Sequence, residues 1–271
     1  MDAAKVSEEL YSSALRDFST VVEQAIAMSH AIANRRVDER RALASVLFTR
    51  LCVLSVSIIS LCPGSKLNPC GRHWDFSAVA SLSRNLFEGA LLLFYFAFDE
   101  VGDVEWEARL KVMQLHDCLS RLHMFRDLGN NDEELPAFEK QAEELRAVLM
   151  KNAHFMDLES SRRKKLLNGG QTAILTLHEI FEKSGGDWTG HWGLYRFWSA
   201  QTHSLPLGFY RSAEQGRGRG VENDAEKAYI GGALGVSVHT IKACTDKIQH
   251  LFFGIAKFKG YSFDLSTLRS S

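Results

Sequence analysis

The chain has 271 residues, of which 45% are hydrophobic and 24% charged, and its formal net charge at pH 7 is −1. This composition is that of a globular protein with a buried core, and it excludes an overall electrostatic attraction to nucleic acids or anionic membranes. Any contact with a polyanion must therefore be local.

The cysteines and the first residues indicate a compartment. The five cysteines include no C-x-x-C pair, which is the spacing of zinc knuckles and thioredoxin-type motifs. Free thiols are typical of a reducing environment. The first ten residues are polar and mixed in charge, unlike a secretory signal peptide. We therefore predict a cytoplasmic protein.

The first two predicted helices cover about residues 7–36 and 38–60, where apolar residues recur at helical spacing. Asp38 is a suitable N-cap for the second helix, and Pro63-Gly64 ends it. The apolar run 51–62 has 12 residues, fewer than the roughly 20 that a membrane span needs. We expect a buried core helix and no membrane contact.

The middle of the chain predicts three further helices. The most apolar covers about 75–98 and is expected to be central, and the next two cover about 104–128 and 136–154. A basic cluster at 162–165 then interrupts the pattern, which predicts a flexible loop near 157–170.

Three more helices are predicted over about 172–183, up to His203, and over about 224–257. A flexible loop near 212–222 and a short C-terminal tail complete the chain. No internal repeat or strand alternation is visible. We therefore predict an all-α fold, with residues 1–271 forming a single-domain bundle of about seven to nine helices.

The first candidate polar cluster lies on the third helix. Arg84 and Glu88 are four residues apart and share a face just before an almost wholly apolar stretch. A carboxylate in such a setting must be paired or neutralised, and Arg84 is its nearest candidate partner. The pair is either a structural ion pair or the wall of a polar cavity in which Glu88 orients a catalytic group.

The second cluster lies on the helix that ends near His203. Tyr195, Ser199 and His203 recur every four residues, so a helix stacks them on one face. Arg196 lies seven residues before His203, the loose R-x(4–6)-H spacing of metal-independent ribonucleases. In such enzymes the arginine stabilises charge on the scissile phosphate, and the histidine transfers a proton. The alternative is a packed helix end whose His203 bonds to the following turn.

Serine-hydrolase and metal-site motifs are the remaining catalytic patterns to consider in this sequence. No G-x-S-x-G elbow surrounds Ser199, which argues against a serine hydrolase. His116-Asp117 is the dipeptide of helical metal phosphohydrolases and remains a third alternative. No other histidine has a metal-ligand spacing, so we predict neither a metal site nor a cofactor.

The last helix contains Gly231, Gly232 and Gly235, followed one turn later by His239. Glycine inside a helix is usually kept for close helix packing, because it costs up to about 1 kcal/mol relative to alanine. His239 is therefore expected either beside the Tyr195–His203 helix or at a tight packing seam.

These motifs together resemble a protein family. The R-x3-E of Arg84 and Glu88, Arg109 in the next helix, and the Y-x3-S-x3-H-S-x-P run that begins at Tyr195 resemble uncharacterised all-helical bacterial proteins. More distantly, the Arg196-x6-His203 spacing is similar to that of the HEPN superfamily. Those helical bundles include ribonucleases of toxin–antitoxin and abortive-infection systems, which often act as dimers.

The resemblance implies metal-independent RNA cleavage or RNA binding in a bacterial defence or stress role, and a homodimer. The implied catalytic residues are Arg196, His203, Ser199, Glu88 and Arg84, and the implied binding residues are Tyr195, Arg109 and His239. The rival hypothesis is a non-enzymatic helical module that binds a small ligand or a protein partner.

Overall fold

The computed structural model describes residues 3–129, 134–186, 188–210, 216–254 and 263–269. These residues form eleven α-helices and no β-strand, so the predicted all-α fold is confirmed. Nine of the described helices have seven residues or more, which matches the predicted seven to nine once two short turns of helix are set aside.

The helices follow one another through the whole chain. They are α1 (Ala3–Ile32), α2 (Glu39–Leu61), α3 (Phe76–Leu93), α4 (Asp103–Asp127), α5 (Glu134–Leu149), α6 (Ala153–Asp157), α7 (Ser160–Leu167), α8 (Leu177–Lys183), α9 (Trp188–Thr202), α10 (Pro206–Phe209) and α11 (Asp224–Phe253). A π-helical segment, Phe94–Phe98, continues α3, and a 3₁₀ turn, Leu265–Arg269, follows α11.

The chain divides into two compact units. Unit 1 consists of Met1–Phe98 together with Phe181–Ser271, and unit 2 consists of Asp99–Ile180. The single domain that the sequence predicts stays a prediction, because two compact units can belong to one domain.

Unit 1 is built around α3, which contacts α2, α9 and α11. The pairing of α1 with α11 is the most extensive helix contact of this unit. Glycine favours this close approach, because a Cβ at Gly231 would lie 3.2 Å from the Tyr11 backbone, a tight contact. The predicted role of glycine in close packing therefore holds at Gly231, whereas Gly232 and Gly235 would meet no described atom within 4 Å.

Helix α2 is both apolar and partly buried. Its predicted cap is present, since the Asp38 side chain accepts a hydrogen bond from the Arg41 backbone N–H. By length and a hydropathy of 2.1 it is long and apolar enough to cross a membrane, and 44% of that stretch is buried inside the protein. Core helices of soluble proteins meet the same criterion, so the predicted lack of membrane contact stays a prediction.

Unit 2 has its own apolar core, formed where α4 packs against α5, α6 and α7. Val112, Leu115 and Leu119 bury one face of α4. The flexible loop predicted near 157–170 is wrong in part, because α7 forms there and buries Leu166 in this core. The loop predicted near 212–222 lies partly outside the described residues.

Candidate functional site

The Arg84–Glu88 pair of α3 is closed into a triangle by a tyrosine of α9. Arg84 Nη2 lies 2.7 Å from Glu88 Oε1, and the Tyr195 hydroxyl donates to the same oxygen at 2.6 Å. Arg84 Nη2 also donates to the Tyr195 hydroxyl at 3.1 Å. The predicted partner of Glu88 is therefore present, and three residues assigned to the site converge.

Buried neighbours hold Tyr195 in this position. Trp198 and Ala200 are buried on α9, which packs against α3. At the other end of α9, the Gln201 side chain accepts a hydrogen bond of 2.7 Å from the Ser77 hydroxyl of α3. The two helices are thus tied at two places, which fixes the Tyr195 side chain over the Arg84–Glu88 pair.

A stack of side chains runs outward from the triangle, and we call it the α9 stack. The Arg84 guanidinium lies 5.1 Å from the centre of the Tyr195 ring, which stacks on the Trp192 ring at 5.4 Å and 12°. The Arg196 guanidinium lies 5.2 Å from the centre of the Trp192 ring. Since Arg84 is mostly buried and Arg196 is exposed, the α9 stack links the inside of unit 1 to its surface.

The environment of Tyr195 determines its protonation. Burial raises the pKa of the Tyr195 hydroxyl, and its hydrogen bond to the Glu88 carboxylate raises it further, while Arg84 opposes both effects. The hydroxyl therefore stays protonated at neutral pH. It acts as a hydrogen-bond donor that orients Glu88 and the ring, not as a proton acceptor.

Ser199 and His203 share the face of Tyr195, but neither joins the triangle. Ser199 is half-buried and His203 is exposed. Among the hydrogen bonds of the described residues, none involves either side chain. The alternative in which His203 bonds to the following turn is therefore wrong, since that turn is closed by backbone bonds such as Leu205 N–H to the Ala200 carbonyl at 3.0 Å.

The binding role predicted for Arg109 is contradicted by its surroundings. Arg109 lies in unit 2, where its side chain is 1% exposed. Its Nη2 lies 2.6 Å from Asp99 and also pairs with Glu105. Because the guanidinium is inaccessible and already paired, Arg109 stabilises the interior of unit 2 and has no free face for a ligand.

His239 is likewise separate from the triangle. It is exposed on α11, and no hydrogen bond or ring contact described for the structure joins it to Arg84, Glu88 or Tyr195. The glycine that allows close packing of α11, Gly231, faces α1. The helix beside this seam is therefore α1. Because His239 is exposed, it does not lie at a tight packing seam, and its predicted position beside α9 stays a prediction.

Two buried charges near α9 were missed or misread from the sequence. Arg217 lies in a glycine-rich stretch, which predicts an exposed loop, but it is 8% exposed and its guanidinium lies 4.2 Å from the Tyr229 ring centre. Glu226 accepts backbone N–H bonds from Gly218 at 2.7 Å and from Phe76 at 3.0 Å. Its spacing from the N-cap Asn223 is a capping-box signal that places it in the first turn of α11.

Exposed side chains of α9 and of the adjoining helix α10 are grouped here as the α9–α10 surface. We define it as Trp192, Arg196, His203, Phe209 and Tyr210, of which the last two are 61% and 72% exposed. Helix α10 can lie against α9 because residue 208 is a glycine, since a Cβ there would lie 2.5 Å from the Ala200 carbonyl oxygen. The surface thus presents one arginine, one histidine and three aromatic rings.

Trp192 was also missed from the sequence, although its spacing gives a signal. It lies three residues before Tyr195 and four before Arg196, so a helix brings all three side chains together.

The described residues include no group of three or more His, Cys, Asp or Glu side chains arranged to hold a metal ion. The His116-Asp117 alternative finds no geometric support. The His116 ring Nδ1 lies 2.9 Å from the Gly169 carbonyl oxygen, and Asp117 pairs with Arg121 at 2.6 Å.

Comparison with known proteins identifies a family. A model described as a family of unknown function, DUF5677, matches residues 41–219, about two thirds of the chain. The chain belongs to this family. The resemblance to uncharacterised all-helical proteins is confirmed, whereas the HEPN resemblance is not. No curated protein and no solved structure matches the chain.

The DUF5677 match covers only part of unit 1. It includes α2, α3, α9 and α10, and therefore the triangle, the α9 stack and the α9–α10 surface. Helices α1 and α11 lie outside the matched residues.

Proposed function

We propose that this DUF5677 chain binds single-stranded RNA on the α9–α10 surface. The observation that supports the proposal is the α9 stack, which holds an arginine and a tryptophan together at an exposed helix face. A guanidinium pairs well with a phosphate, and an aromatic ring stacks on an unpaired base.

Single strands fit this surface better than duplexes. The exposed rings of Trp192, Phe209 and Tyr210 need bases that are splayed out, and paired bases are not available for stacking. Because the net charge of the chain is −1, the attraction must come from a few local cations. We therefore expect modest affinity and a shallow dependence on salt.

Metal-independent cleavage of the bound RNA is a second candidate function. Arg196 and His203 are both exposed, and seven residues of helix separate them by about 10 Å along the axis. Their two side chains can reach one phosphodiester from both ends. Arg196 would stabilise the charge on the phosphate, and His203 would exchange a proton with the ribose 2′-hydroxyl.

The other residues of the proposed site act at a distance from the RNA. Arg84, Glu88 and Tyr195 position Trp192 through the stack, and Ser199 lies on the helix face between Tyr195 and His203. A cytoplasmic location, a homodimer and a bacterial defence or stress role stay predictions.

RNA binding is tested by fluorescence anisotropy with a labelled single strand of about 20 nucleotides and its duplex, in EDTA at low and physiological salt. We expect the single strand to bind more tightly. Arg196→Ala and Trp192→Leu should each weaken binding about 10-fold or more. Arg50→Ala is the matched control, because Arg50 is exposed on α2 and has no described ion pair.

The result that would overturn RNA binding is equal affinity for both variants and the control, or no binding by the wild type. If a protein partner is recovered on this surface instead, the rival hypothesis of a protein-binding module replaces the proposal.

Cleavage is measured separately, by following the length of the same RNA on a denaturing gel in EDTA. His203→Ala should abolish cleavage and leave the fold intact, because His203 is exposed and contributes little to packing. A wild type that binds RNA and leaves it uncut would eliminate the cleavage candidate and leave the binding proposal standing.

A further inference from the structure

A cleft of about 880 Å³ lies in unit 1, away from the residues of the α9–α10 surface. One face of α1 forms one wall, and the loop that joins α2 to α3 forms the other. Val221 and Glu222 close one end. Small-molecule sites in proteins typically occupy about 300–1,000 Å³, so the cleft has the size of a ligand site.

The acidic side chains that line this cleft are already paired. Glu8 and Glu222 both lie 2.6 Å from the Lys227 ammonium. Glu23 lies 2.6 Å from the Lys66 ammonium. Each of these carboxylates is therefore ion-paired with a lysine of the protein, although Glu8 and Glu222 share one lysine.

Two arginines of the cleft are not committed in this way. Arg16 comes from α1 and Arg72 from the facing loop, and both are exposed. Within the part of the chain that the structure describes, neither guanidinium forms an ion pair or a hydrogen bond. Each guanidinium offers five N–H donors in a planar fork, which matches an oxyanion.

The wall that presents Arg72 is rigid before any ligand arrives. The Gly64 N–H donates to the Asn68 carbonyl at 2.9 Å, within the loop. The Tyr11 hydroxyl of α1 donates to the Pro63 carbonyl at 2.6 Å, and Trp74 is buried at the end of the loop. A preorganised wall reduces the entropy that binding must overcome.

We propose that this cleft binds a small phosphate ester, with Arg16 and Arg72 holding the phosphate from opposite walls. A dianionic phosphate can accept paired hydrogen bonds from two guanidinium forks, whereas a single carboxylate can fill only one of them well. The proposal involves none of the residues of the RNA-binding proposal.

Hydroxyl groups along α1 define the body of the ligand. Ser12, Ser19 and Thr20 line the cleft, and each donates to a carbonyl of its own helix, at 2.7, 2.7 and 3.0 Å. Their oxygens therefore remain acceptors. A ligand with several hydroxyl donors, such as a phosphorylated sugar, complements this wall.

The test uses ribose-5-phosphate, inorganic phosphate, ribose and acetate as probes of the full chain, with affinity measured by calorimetry. Ribose-5-phosphate should bind most tightly and inorganic phosphate more weakly, while ribose and acetate should show no binding. Arg16→Gln and Arg72→Gln should each weaken ribose-5-phosphate binding about 10-fold or more. Arg50→Gln, the exposed arginine of α2, is the matched control.

The substituted side chains are exposed, so the variants should fold, which thermal unfolding checks. The proposal is overturned if ribose-5-phosphate does not bind, if acetate binds equally well, or if Arg50→Gln is as damaging as the cleft variants. RNA affinity should be unchanged in Arg16→Gln, so a failure here is separable from a failure of the RNA proposal.

Discussion

Both units contain an arginine and a glutamate four residues apart on one helix. In unit 1 Arg84 pairs with Glu88 on α3, and in unit 2 Glu105 pairs with Arg109 on α4. The Arg109 side chain is 1% exposed, whereas the Arg84 side chain is 14% exposed. The third partner differs too, since it is the buried Asp99 in unit 2 and the half-buried Tyr195 in unit 1.

The third partner determines what each pair does. In unit 2, Arg109 Nε donates to Glu105 at 3.0 Å and Nη2 bonds to Asp99, so the network is closed. In unit 1, Arg84 Nε is buried and has no hydrogen-bond partner among the described residues, and Tyr195 extends the network through Trp192 to the surface. The same helical spacing therefore stabilises an interior in one unit and supports an exposed surface in the other.

The largest expected loss of stability follows from breaking the Arg109–Asp99–Glu105 network of unit 2. Arg109→Ala should lower the free energy of unfolding by about 3–5 kcal/mol, because it leaves the Asp99 carboxylate buried and without its ion-pair partner. Urea unfolding followed by circular dichroism measures this. The control Lys140→Ala removes an exposed pair with Glu144 and should cost less than about 1 kcal/mol. A similar small loss for Arg109→Ala would show that the network is not closed.

Stability should depend less on the Arg84–Glu88–Tyr195 network of unit 1 than on the Arg109 network of unit 2. Glu88→Gln should lower the free energy of unfolding by about 1.5–3 kcal/mol, and Tyr195→Phe by about 0.5–1.5 kcal/mol, since the first removes charged hydrogen bonds and the second a single hydroxyl. Both variants should also weaken RNA binding, because the ring at position 195, on which Trp192 stacks, is held less firmly. If a stable Glu88→Gln protein bound RNA as tightly as the wild type, the triangle would have no role in positioning the α9–α10 surface.

The smallest expected effect is the contribution of Tyr195 to the pH dependence of stability. The pKa of Tyr195 is raised in the folded protein above the ordinary tyrosine value of 10.0, chiefly by burial. The unfolded chain therefore releases this proton at lower pH than the folded one, so stability is retained below pH 10 and declines as the pH rises through the folded pKa. Comparing the unfolding free energies of wild type and Tyr195→Phe from pH 8 to 11 should show a difference that narrows above pH 10. A constant difference would contradict the shift.

Helical spacing predicted which side chains of one helix meet. It was a poorer guide to which of those side chains are accessible to solvent. It identified the Arg84–Glu88 pair because four residues of helix bring two side chains together whatever surrounds them. The family resemblance placed Arg109 in a binding role, and the sequence does not reveal that Asp99 meets Arg109 in the interior. The Glu105–Arg109 spacing was present in the sequence and is a signal of a pair.

Contacts between distant segments were the least predictable. The all-α fold follows from the apolar periodicity and from caps such as Asp38. Arg217 lies in a glycine-rich stretch that predicts exposure, yet it is buried against Tyr229, which lies on α11. The apolar run over about 75–98 predicts one continuous helix, so the π-helical segment Phe94–Phe98 is not anticipated from the sequence.

The discontinuity of unit 1 has a consequence for its synthesis on the ribosome. Unit 2 is encoded by one uninterrupted stretch and is complete once residue 180 has emerged, whereas α1 must wait for α11 to cover it. At about 5–20 residues per second, translation leaves the face of α1 that packs against α11 uncovered for about 10–40 s. The nascent chain therefore passes through a stage in which unit 2 is fully synthesised and unit 1 is not. During that interval chaperones can bind the face of α1 that α11 later covers.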